Sequence, residues 1–574
     1  MKKSIETIKD FYNGSRNKLN VGSFYHSQNI EIDDQFPYLT NGYRMFQEGT
    51  GDNVKNIIAS ANFYNTVYAS NPDGKIIRKE ASGWVLMREN SKSYGGLGLL
   101  GDSNMVSGSE TGYLYYVSNN YIGRHDGSNW VDDWQTLKTS NNGKASPTEK
   151  FLKFLCFGNG KYLAVYDLGS SSFNNERLTL PDGYVIRWIK STTDYLIIGA
   201  DHASRGGIII IWDGISTTYN SLINLKSTIS LGADVDNNVC YVITNDGWIS
   251  RLEGYSGLVN LSQIPDADDI DFNISISHDA VKFYRGVLHF GISGNSVSLK
   301  KRYHWGGVWA YNPKTNAIFL KNILSDGGII GIVGCGVTFI GSIIVNSIGV
   351  KYLRVAWSNG NDYFIDVNTY SATGRRTNPY GSFIITNLIG GKTTIRKRFM
   401  QVIMNMMKEL PDSSSAKIII RYSEDEEISK KIITNVISGA SNYFILSSGD
   451  ANNVNIGDEV YIVGGGINAG AGQIRNITKK ELSGANYKFT VDRSLSYDAI
   501  FKNISILSIS EFKLIEIISG NEYRKASKLL KFHNRSKQIR LKVELYSPTG
   551  TTSQSEVGIS NISTVFVEDK VIKI

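Results

Sequence analysis

Short apolar runs alternate with polar turns along the first two thirds of the chain. One unit holds an apolar run, a charged step, a glycine turn and an aromatic residue; it stands at residues 75–84 (KIIRKEASGW) and returns at 121–130 (YIGRHDGSNW). Later echoes lie at 208–215, 248–255 and 308–314, and Trp84 precedes Trp130 by 46 positions. A degenerate, strand-rich period of this length is typical of β-propeller blades.

The repeats predict a β-propeller over residues 54–390, with about seven blades; six or eight blades fit the irregular spacing around 140–190 and 260–320. The innermost strands are predicted near 57–61, 97–100, 151–157, 195–200, 230–234, 279–284 and 329–333. Asp-Gly, Asn-Gly and Gly-Gly pairs supply hairpin turns. Residues 1–53 form a lead whose segment 23–32 alternates like a strand, and we expect it to close the ring.

Beyond residue 390 the regular spacing of apolar runs and turns ends. Residues 395–410 fit either a helix face or an alternating strand, and residues 416–422 read as a strand. Residues 432–507 contain short strands with glycine turns, as in a small five-stranded barrel. Strands then resume, so residues 391–431 plus 508–574 are predicted to form a β-sandwich-like domain that the barrel interrupts. The predicted fold class is therefore all-β.

The charge distribution and the cysteine content limit the kinds of site and the compartment that the sequence predicts. The 574 residues carry a net charge of +8, of which residues 391–574 contribute +7, from 26 Lys and Arg against 19 Asp and Glu. The three cysteines, Cys156, Cys240 and Cys335, are far apart and odd in number, which predicts neither a disulfide framework nor a metal site. The first ten residues lack the apolar core of a signal peptide, so synthesis in a cytoplasm is expected.

Residues 327–350 carry no charge and could be mistaken for a membrane span. Seven of these 24 residues are glycine, and polar residues interrupt the stretch. Glycine is a poor helix former and the apolar runs are short, so two buried strands explain the stretch better than a bilayer-spanning helix. No membrane span is predicted.

Motifs for chemistry are incomplete. Residues 383–394 place Gly-Gly-Lys-Thr after a strand, but Thr386 occupies the position of the first glycine of a phosphate loop. The acidic clusters at 266–271 and 234–238 lack the ligands of a calcium loop. Asp126 begins a turn similar to the Asp-box of sialidase propellers, although the full motif does not repeat. No catalytic residue, cofactor or metal site is predicted.

A basic run without any acidic residue covers residues 523–542. Such a run can contact a polyanion, protect a solvated edge strand, or dock an acidic protein neighbour. We interpret it as a candidate partner-docking patch. Its members are Arg524, Lys525, Lys528, Lys531, Arg535, Lys537, Arg540 and Lys542.

The arrangement of the chain resembles virion proteins of tailed phages, of the tail-nozzle, tail-hub or tail-tip type. The local likeness lies in residues 398–402 leading into 410–425 (LPDSSSAKIIIRYSED), then 531–545 and 558–567; residues 455–463 look like the small barrels grafted into phage structural proteins. The resemblance implies that residues 395–407 form a strand. It supplies no catalytic residues, so a non-enzymatic protein is expected.

The resemblance implies a structural component of the virion, assembled in the host cytoplasm as a ring-forming homo-oligomer. Its expected partners are other tail or neck subunits, with genomic DNA passing transiently. The basic run is then expected to face a protein neighbour or the exterior rather than a DNA channel. The alternatives are a host-surface glycan-binding propeller, which should carry a ring of exposed aromatics, and a polysaccharide-degrading enzyme, which should carry paired carboxylates with one shifted pKa.

Overall fold

The structure of the protein is a computed structural model that describes most of the chain. The described residues are 3–9, 24–28, 30–32, 39–41, 45–64, 66–89, 95–106, 109–140, 146–255, 257–267, 272, 274–292, 307–322, 336–344, 351–358, 363–368, 382–386, 389, 397–406, 409–410, 412, 416–424, 429–433, 436–440, 442–452, 454–456, 458–464, 473–491, 504–510, 512–520, 527–536, 538–546 and 557–568.

Almost all regular structure in these residues is β-strand. The first 25 strands are β1 (Lys3–Lys9), β2 (Phe24–Gln28), β3 (Ile30–Ile32), β4 (Leu39–Asn41), β5 (Met45–Thr50), β6 (Ala59–Phe63), β7 (Thr66–Ser70), β8 (Lys75–Glu80), β9 (Gly83–Glu89), β10 (Gly95–Val106), β11 (Ser109–Ser118), β12 (Tyr121–His125), β13 (Trp130–Thr136), β14 (Thr148–Phe151), β15 (Phe154–Asn159), β16 (Tyr162–Asp167), β17 (Ser172–Thr179), β18 (Tyr184–Ser191), β19 (Leu196–His202), β20 (Gly206–Trp212), β21 (Ser221–Asn224), β22 (Ser230–Asp236), β23 (Val239–Thr244), β24 (Trp248–Glu253) and β25 (Gly257–Gln263).

The remaining strands are β26 (Val281–Tyr284), β27 (Val287–Ile292), β28 (Gly307–Asn312), β29 (Ala317–Asn322), β30 (Gly336–Ile344), β31 (Lys351–Ser358), β32 (Tyr363–Asn368), β33 (Ser382–Thr386), β34 (Lys397–Met406), β35 (Lys417–Ser423), β36 (Ser429–Ile433), β37 (Val436–Ala440), β38 (Tyr443–Ser447), β39 (Glu459–Gly464), β40 (Gln473–Ser483), β41 (Asn486–Val491), β42 (Ile504–Ser510), β43 (Lys513–Ser519), β44 (Ser527–Ser536), β45 (Arg540–Tyr546) and β46 (Gly558–Glu568). One helical turn, α1 (Ser448–Ala451), and a 3-10 turn at Asp52–Val54 complete the described elements.

The chain divides into two compact units. The propeller unit comprises Phe46–Ser293 and Gly336–Val367, and the second unit comprises Met1–Met45, Gly294–Cys335 and Asn368–Ile574. These bounds differ from the predicted domains, because residues 1–45 and 294–335 group with the last third of the chain.

The propeller unit repeats one four-stranded antiparallel sheet. Blades 1 to 5 are β6–β9, β10–β13, β14–β17, β18–β21 and β22–β25, each ordered as in the sequence. The hairpin β26–β27 belongs to blade 6, and β30–β31–β32 with β5 form blade 7. The first strands contact one another in succession, and β30 of blade 7 contacts β6 of blade 1. Within the described residues the ring therefore closes with seven blades, as predicted.

As predicted, a strand from the start of the chain closes the ring. The closing strand is β5, however, and not the predicted segment 23–32. β5 is the outer strand of blade 7, and the Arg354 guanidinium of β31 makes a paired contact with the Glu48 carboxylate, at 2.7 Å from Nε and 2.9 Å from Nη2. The predicted closing segment, 23–32, instead contributes β2 and β3 to the second unit.

The hydrophobic core of the propeller lies between neighbouring blades. Phe63 and Ile76 of blade 1 pack with Leu99 and Tyr116 of blade 2, and the same pattern joins blades 2 to 3, 3 to 4, 4 to 5 and 7 to 1. Each inward-facing apolar run is thus buried against the next sheet, which is why the apolar runs recur with the blade period.

The predicted innermost strands match in part. Those near 57–61, 97–100, 230–234 and 279–284 coincide with β6, β10, β22 and β26. Those near 151–157 and 195–200 are wrong, since these residues chiefly form the second strands β15 and β19. The true inner strands β14 (TEKF) and β18 (YVIRWIKS) carry charged residues, among them Glu149 and Lys190, whereas the second strands have longer apolar runs. The segment 329–333 lies outside the described residues.

The second unit contains two sheets that combine strands from the predicted β-sandwich-like domain with strands outside its predicted bounds, namely β1–β4, β28, β29 and β33. One has the order β3-β4-β46-β34-β44, with β1 also paired to β46; the other runs β28-β29-β2-β33-β45-β35-β43. β34 at Lys397–Met406 is a strand, as the resemblance implied, and its burial alternates over much of its length.

A small barrel-like sheet is inserted into the second unit. Its strand order is β36-β42-β39-β40-β41-β38-β37, and the end strand β37 also contacts β42. Phe444, Leu446, Val460 and Phe489 lie in its core. The module spans Ser429 to Ser510 with seven described strands, slightly wider than predicted and with two strands more.

The uncharged stretch at 327–350 is a strand where the structure describes it, namely at Gly336–Ile344. Within the described residues, no helix combines the length and the apolar character needed to cross a bilayer.

Candidate functional site: the central cavity of the propeller

A polar cavity of about 330 Å³ lies among the inner strands of the propeller unit. Strands β6, β10, β14, β18 and β26 or their immediate flanks supply its walls. Its charged lining consists of Glu149, Lys190, Asp279 and Lys282. These residues come from three blades, so the cavity exists only when the ring is assembled.

Small residues set the inner strands close together around the cavity. A Cβ atom on Gly101 would lie 1.8 Å from the backbone oxygen of Asn62, and a Cβ on Gly98 would lie 2.1 Å from the backbone oxygen of Ser146. Blades 1, 2 and 3 therefore meet at glycine positions, where backbone approaches backbone without side chains between them.

Asp234 on β22 is the buried centre of an ion-pair network. Its Oδ1 lies 3.2 Å from the Lys190 ammonium, its Oδ2 lies 3.2 Å from the Lys282 ammonium, and it accepts a 2.7 Å hydrogen bond from the Phe283 backbone N–H. Burial opposes ionisation, but the two lysines and the N–H outweigh it and lower the pKa of Asp234. One carboxylate thereby ties blades 4, 5 and 6 together.

Glu149 and Asp279 are the carboxyl groups that face the cavity. Glu149 accepts a 2.6 Å hydrogen bond from the Ser191 hydroxyl, and burial raises its pKa despite the nearby Lys190 ammonium. Burial also raises the pKa of Asp279 to about 7, against the attraction of Lys190. The neighbouring His278 has its pKa lowered to about 4, because burial disfavours the imidazolium.

The lysine ammonium at the same site stays charged. Burial alone would lower the pKa of Lys190, but the carboxylates of Asp234 and Glu149 outweigh that effect and raise it. Further pairs surround the cavity: Lys150 with Asp102 between blades 3 and 2, and Arg187 with Asp201 at 3.6 Å within blade 4. Burial raises the pKa of Asp201 to about 6.

The cavity is lined by carboxyl and ammonium groups. Across the part of the chain that the structure describes, no group of three or more His, Cys, Asp or Glu side chains could hold a metal ion. Asn62 lines the cavity, and its side-chain carbonyl finds no hydrogen-bond partner among these residues.

The sequence did not single out this cavity. In the sequence, Asp234 stands in a cluster that resembles an incomplete calcium loop, and no motif includes Glu149, Lys190, Asp279 or Lys282. The available signal was limited to β18, where Lys190 is a charged residue in a largely apolar inner strand (YVIRWIKS). Such a residue is costly to bury unless a partner from another blade meets it.

The structure distributes the basic run over different environments. Lys528 forms an ion pair with Glu516, and Lys531 is exposed. Arg540 and Lys542 lie on the central strand β45 and are 8% and 3% exposed, so neither belongs to an open surface.

Lys542 lies 3.7 Å from the Glu544 carboxylate, which also binds Arg421 at 2.9 Å. Arg535 lies on β44. Arg524, Lys525 and Lys537 lie outside the described residues.

The other motifs have structural explanations where they are described. Asp126 caps the turn between β12 and β13, where its Oδ1 accepts hydrogen bonds from the backbone N–H groups of Ser128 and Asn129 and its pKa falls to about 2. Asp167 and Asp213 cap the equivalent turns of blades 3 and 4 in the same way. The recurring Asp-Gly and Asp-x-Gly signals are therefore blade-edge turns.

The segment resembling a phosphate loop begins on β33, which pairs antiparallel with β2 and β45. This is not the parallel sheet in which nucleotide hydrolases place that loop. Residues 390–394 lie outside the described residues, as do residues 268–271 of the acidic cluster at 266–271.

Two edge strands of the second unit expose aliphatic side chains. Among the described strands, β43 and β44 each end a sheet. Their exposed members, here called the edge aliphatics, are Leu514, Ile517 and Leu529, with 37%, 47% and 48% of their surface exposed. A register shift opposite Ile420 and Arg421 places Leu514 and Ile517 on the same face of β43.

Comparison with known proteins identifies no family. No protein-family model matches the chain, and no curated protein matches its sequence.

Solved structures similar in part include the computationally designed Ika8 protein (11% identity, 57% of this chain and 99% of that chain, TM-score 0.34). Chaetomium thermophilum Raptor is another, with 10% identity over 57% of this chain and 30% of that chain and a TM-score of 0.41. The WD40 β-propeller domain of Doa1 is a third, with 11% identity over 58% of this chain and 99% of that chain and a TM-score of 0.37. The propeller assignment rests on the closed ring of sheets described above.

Proposed function

We propose that the chain is a non-enzymatic structural component of a tailed-phage virion, of the tail-nozzle or tail-hub type. The propeller unit serves as a rigid body, and the second unit docks neighbouring virion subunits and further copies of the chain in a ring. The protein is made in the host cytoplasm and acts in the virion, where genomic DNA passes transiently.

The observation that carries this proposal is the exposure of aliphatic side chains on the edge strands β43 and β44. Open edges offer unpaired backbone groups to another chain, and isolated soluble proteins usually protect them with charge or cover them. Here Leu514, Ile517 and Leu529 remain exposed at such edges, beside the exposed Lys513 of β43 and Lys531 of β44. An assembly protein is expected to expose apolar surface of this kind where its neighbours dock.

Glycan attachment, the alternative, has weaker support. A glycan-binding face is built from exposed aromatic rings that stack on sugars. Among the described residues of the propeller unit, Tyr255 is the one aromatic residue in the exposed class, and its ring packs edge-on against Tyr195.

Polysaccharide cleavage has one specific observation in its favour, the carboxyl pair Glu149 and Asp279 with raised pKa values. Glycosidases do use such pairs. However, a central cavity of about 330 Å³ is at the lower end for small-ligand pockets and offers no cleft for a polymer.

Purified virions from the source culture test the proposal. An antibody raised against the full chain should label one fixed position on each particle, and quantitative mass spectrometry should give a copy number that is a multiple of the ring symmetry. Complete absence of the chain from purified virions that retain their tails would contradict the proposal.

A further inference from the structure

Blades 1, 2 and 5 carry an arginine at the same place on their third strands, each opposite a tyrosine of the second strand. An acidic residue follows each arginine two positions later in the sequence. The three Arg-x-acid sequences are Arg78 with Glu80, Arg124 with Asp126 and Arg251 with Glu253. The repeat therefore offers each arginine a carboxylate of its own.

Blade 2 uses its carboxylate differently from the other two blades. In blades 1 and 5 the arginine forms an ion pair with its own acidic residue. In blade 2, Oδ1 of Asp126 accepts hydrogen bonds from the backbone N–H groups of Ser128 at 2.8 Å and Asn129 at 2.7 Å. Its Oδ2 accepts from the Asn129 side-chain amide at 3.2 Å. Both oxygens thus serve the turn, and among the described residues no carboxylate forms an ion pair with Arg124.

Two aromatic rings hold the Arg124 guanidinium in place of a carboxylate. Its Cζ lies 4.5 Å from the centroid of the Tyr113 ring and 4.9 Å from that of the Trp134 ring. The residues at the place of Tyr113 in blades 1 and 5 are Thr66 and Val239. Aromatic rings contact the face of a guanidinium, so its in-plane N–H groups stay available to an acceptor.

A partner can reach these N–H groups. No nitrogen atom of Arg124 is among the buried polar atoms that lack a hydrogen-bond partner, and Arg124, Tyr113 and Trp134 are all partly exposed. Asp102 stands opposite Tyr113 in the register of β10 and β11, but it is already paired with Lys150. Arg124 therefore presents a positive charge that the described part of the propeller does not balance.

We propose that Arg124, Tyr113 and Trp134 form a docking site for an aspartate or glutamate side chain of a partner protein. The guanidinium donates two parallel N–H···O bonds to the carboxylate, and the rings fix its orientation. Arginine and aromatic residues are also the ones enriched at the energetic centres of protein interfaces. The partner is a virion subunit other than a further copy of the chain, a step that rests on the proposed function, in which ring contacts belong to the second unit.

The charge of the site favours a single carboxylate over a nucleic acid. Phosphate backbones are bound by several clustered lysines and arginines. Here Lys150 is neutralised by Asp102, and Asp126 adds a negative charge two positions from Arg124. One carboxylate matches one guanidinium in charge and in planar geometry.

The experiment measures how fast phenylglyoxal, an arginine-specific reagent, modifies Arg124 in the purified full chain, as followed by peptide mass spectrometry at constant ionic strength. The probes are the capped tripeptide Gly-Glu-Gly, its neutral analogue Gly-Gln-Gly, and octathymidylate. At about 50 mM, Gly-Glu-Gly should slow the modification of Arg124 at least about threefold. Gly-Gln-Gly should leave the rate unchanged, and Arg251, which is paired with Glu253, should not be protected.

Three outcomes would overturn the proposal. They are no slowing by Gly-Glu-Gly, equal slowing by the two tripeptides, and stronger protection by octathymidylate, which would assign the site to a nucleic acid.

Two variants test the role of the rings. Tyr113→Leu removes one ring at a partly exposed position and should lower the protection of Arg124 by Gly-Glu-Gly at least about twofold. The matched control is Glu253→Gln, which takes the carboxylate from Arg251 on blade 5, where Val239 replaces the ring. Arg251 should gain little protection in this variant. Protection of Arg251 equal to that of Arg124, or unchanged protection in Tyr113→Leu, would contradict an aromatic docking site.

The protection measurements separate this inference from the proposed function. They use the isolated chain, so a failure to protect Arg124 contradicts the docking site alone. Absence of the chain from purified virions contradicts the proposed function and leaves the carboxylate chemistry of Arg124 as measured.

Discussion

At the scale of single residues, the buried carboxylate of Asp234 decides how blades 4, 5 and 6 hold together. It is 4% exposed and compensates two lysine ammonium groups from neighbouring blades. Removing it leaves the ammonium groups of Lys190 and Lys282, whose side chains are 21% and 35% exposed, without their main partner. Such a loss costs far more than the net value of the intact pair, because desolvation is no longer offset.

Because the two lysines are partly exposed, we expect Asp234→Asn to lower the free energy of unfolding of the propeller by about 1–3 kcal/mol. Urea unfolding followed by tryptophan fluorescence measures the effect. Glu176→Gln, which breaks the exposed pair with Lys138, serves as the control and should leave the midpoint nearly unchanged. Equal midpoints for the two variants would show that the network does not stabilise the ring.

Asp279 and His278 are adjacent and shift the pH dependence of stability in opposite directions. The raised pKa of Asp279 means that the folded state binds more protons between about pH 4 and about pH 7, so stability falls as the pH rises. The lowered pKa of His278 means that the unfolded state binds more protons between about pH 4 and about pH 6.5, so stability rises with pH there.

The substitution Asp279→Asn removes the Asp279 contribution to stability, which falls as the pH rises, and leaves the His278 contribution in place. The variant's stability should rise more steeply than that of the unmodified chain between about pH 4 and about pH 6.5, and should exceed it at about pH 8. Urea midpoints across this range measure the difference, and Glu149, present in both proteins, cancels from the comparison. Parallel curves for the two proteins would mean that Asp279 keeps an ordinary pKa in the folded chain.

At the scale of elements, the approach of neighbouring inner strands depends on glycine. Gly101→Ala would place a methyl group 1.8 Å from the Asn62 backbone oxygen, which belongs to the adjacent blade and cannot rotate away. We expect a loss of roughly 1–3 kcal/mol in unfolding free energy, measured by urea denaturation. Gly449→Ala, whose Cβ would meet only the Ser447 hydroxyl at 3.9 Å, is the matched control; a similar effect in both would contradict the packing argument.

Sequence patterns predicted strands well where one face of the strand is apolar and the apolar run recurs along the chain. The blade repeats and the inserted barrel follow from alternation and turn chemistry. Alternation left residues 395–410 open between helix and strand, and only the resemblance to phage proteins implied the strand β34. The ring-closing strand was misplaced because residues 23–32 alternate more clearly than β5. What fixes β5 is the contact between Glu48 and Arg354, which are 306 positions apart in the sequence, and no local pattern encodes such a pairing.

The candidate site was beyond sequence reasoning for the same reason. Glu149, Lys190, Asp234 and Asp279 lie on or beside strands of four different blades, separated by about a blade period each, and each alone reads as a surface charge. Only closure of the ring brings them together. The basic run shows the converse error: its members are neighbours in sequence, yet β45 buries Arg540 and Lys542 while β44 leaves Lys531 exposed.

At the scale of the whole molecule, the proposed ring assembly depends on the edge aliphatics of β43 and β44. Replacing all three, Leu514→Lys, Ile517→Lys and Leu529→Lys, places charge on edges that would otherwise pair or pack with another chain. We expect the unmodified full chain to form a closed oligomer and the triple variant to be monomeric, as measured by light scattering coupled to size-exclusion chromatography.

A matched triple variant in the propeller unit, Val131→Lys, Leu152→Lys and Ile215→Lys, changes exposed aliphatic residues of 41%, 58% and 81% exposure. It adds the same charge to the chain and should leave the oligomer intact, because the proposed ring contacts belong to the second unit. Loss of the oligomer in this variant alone would move the interface to the propeller. If the unmodified chain is monomeric at its highest soluble concentration, it does not self-assemble through these edges. Docking at the edges would then need a different subunit.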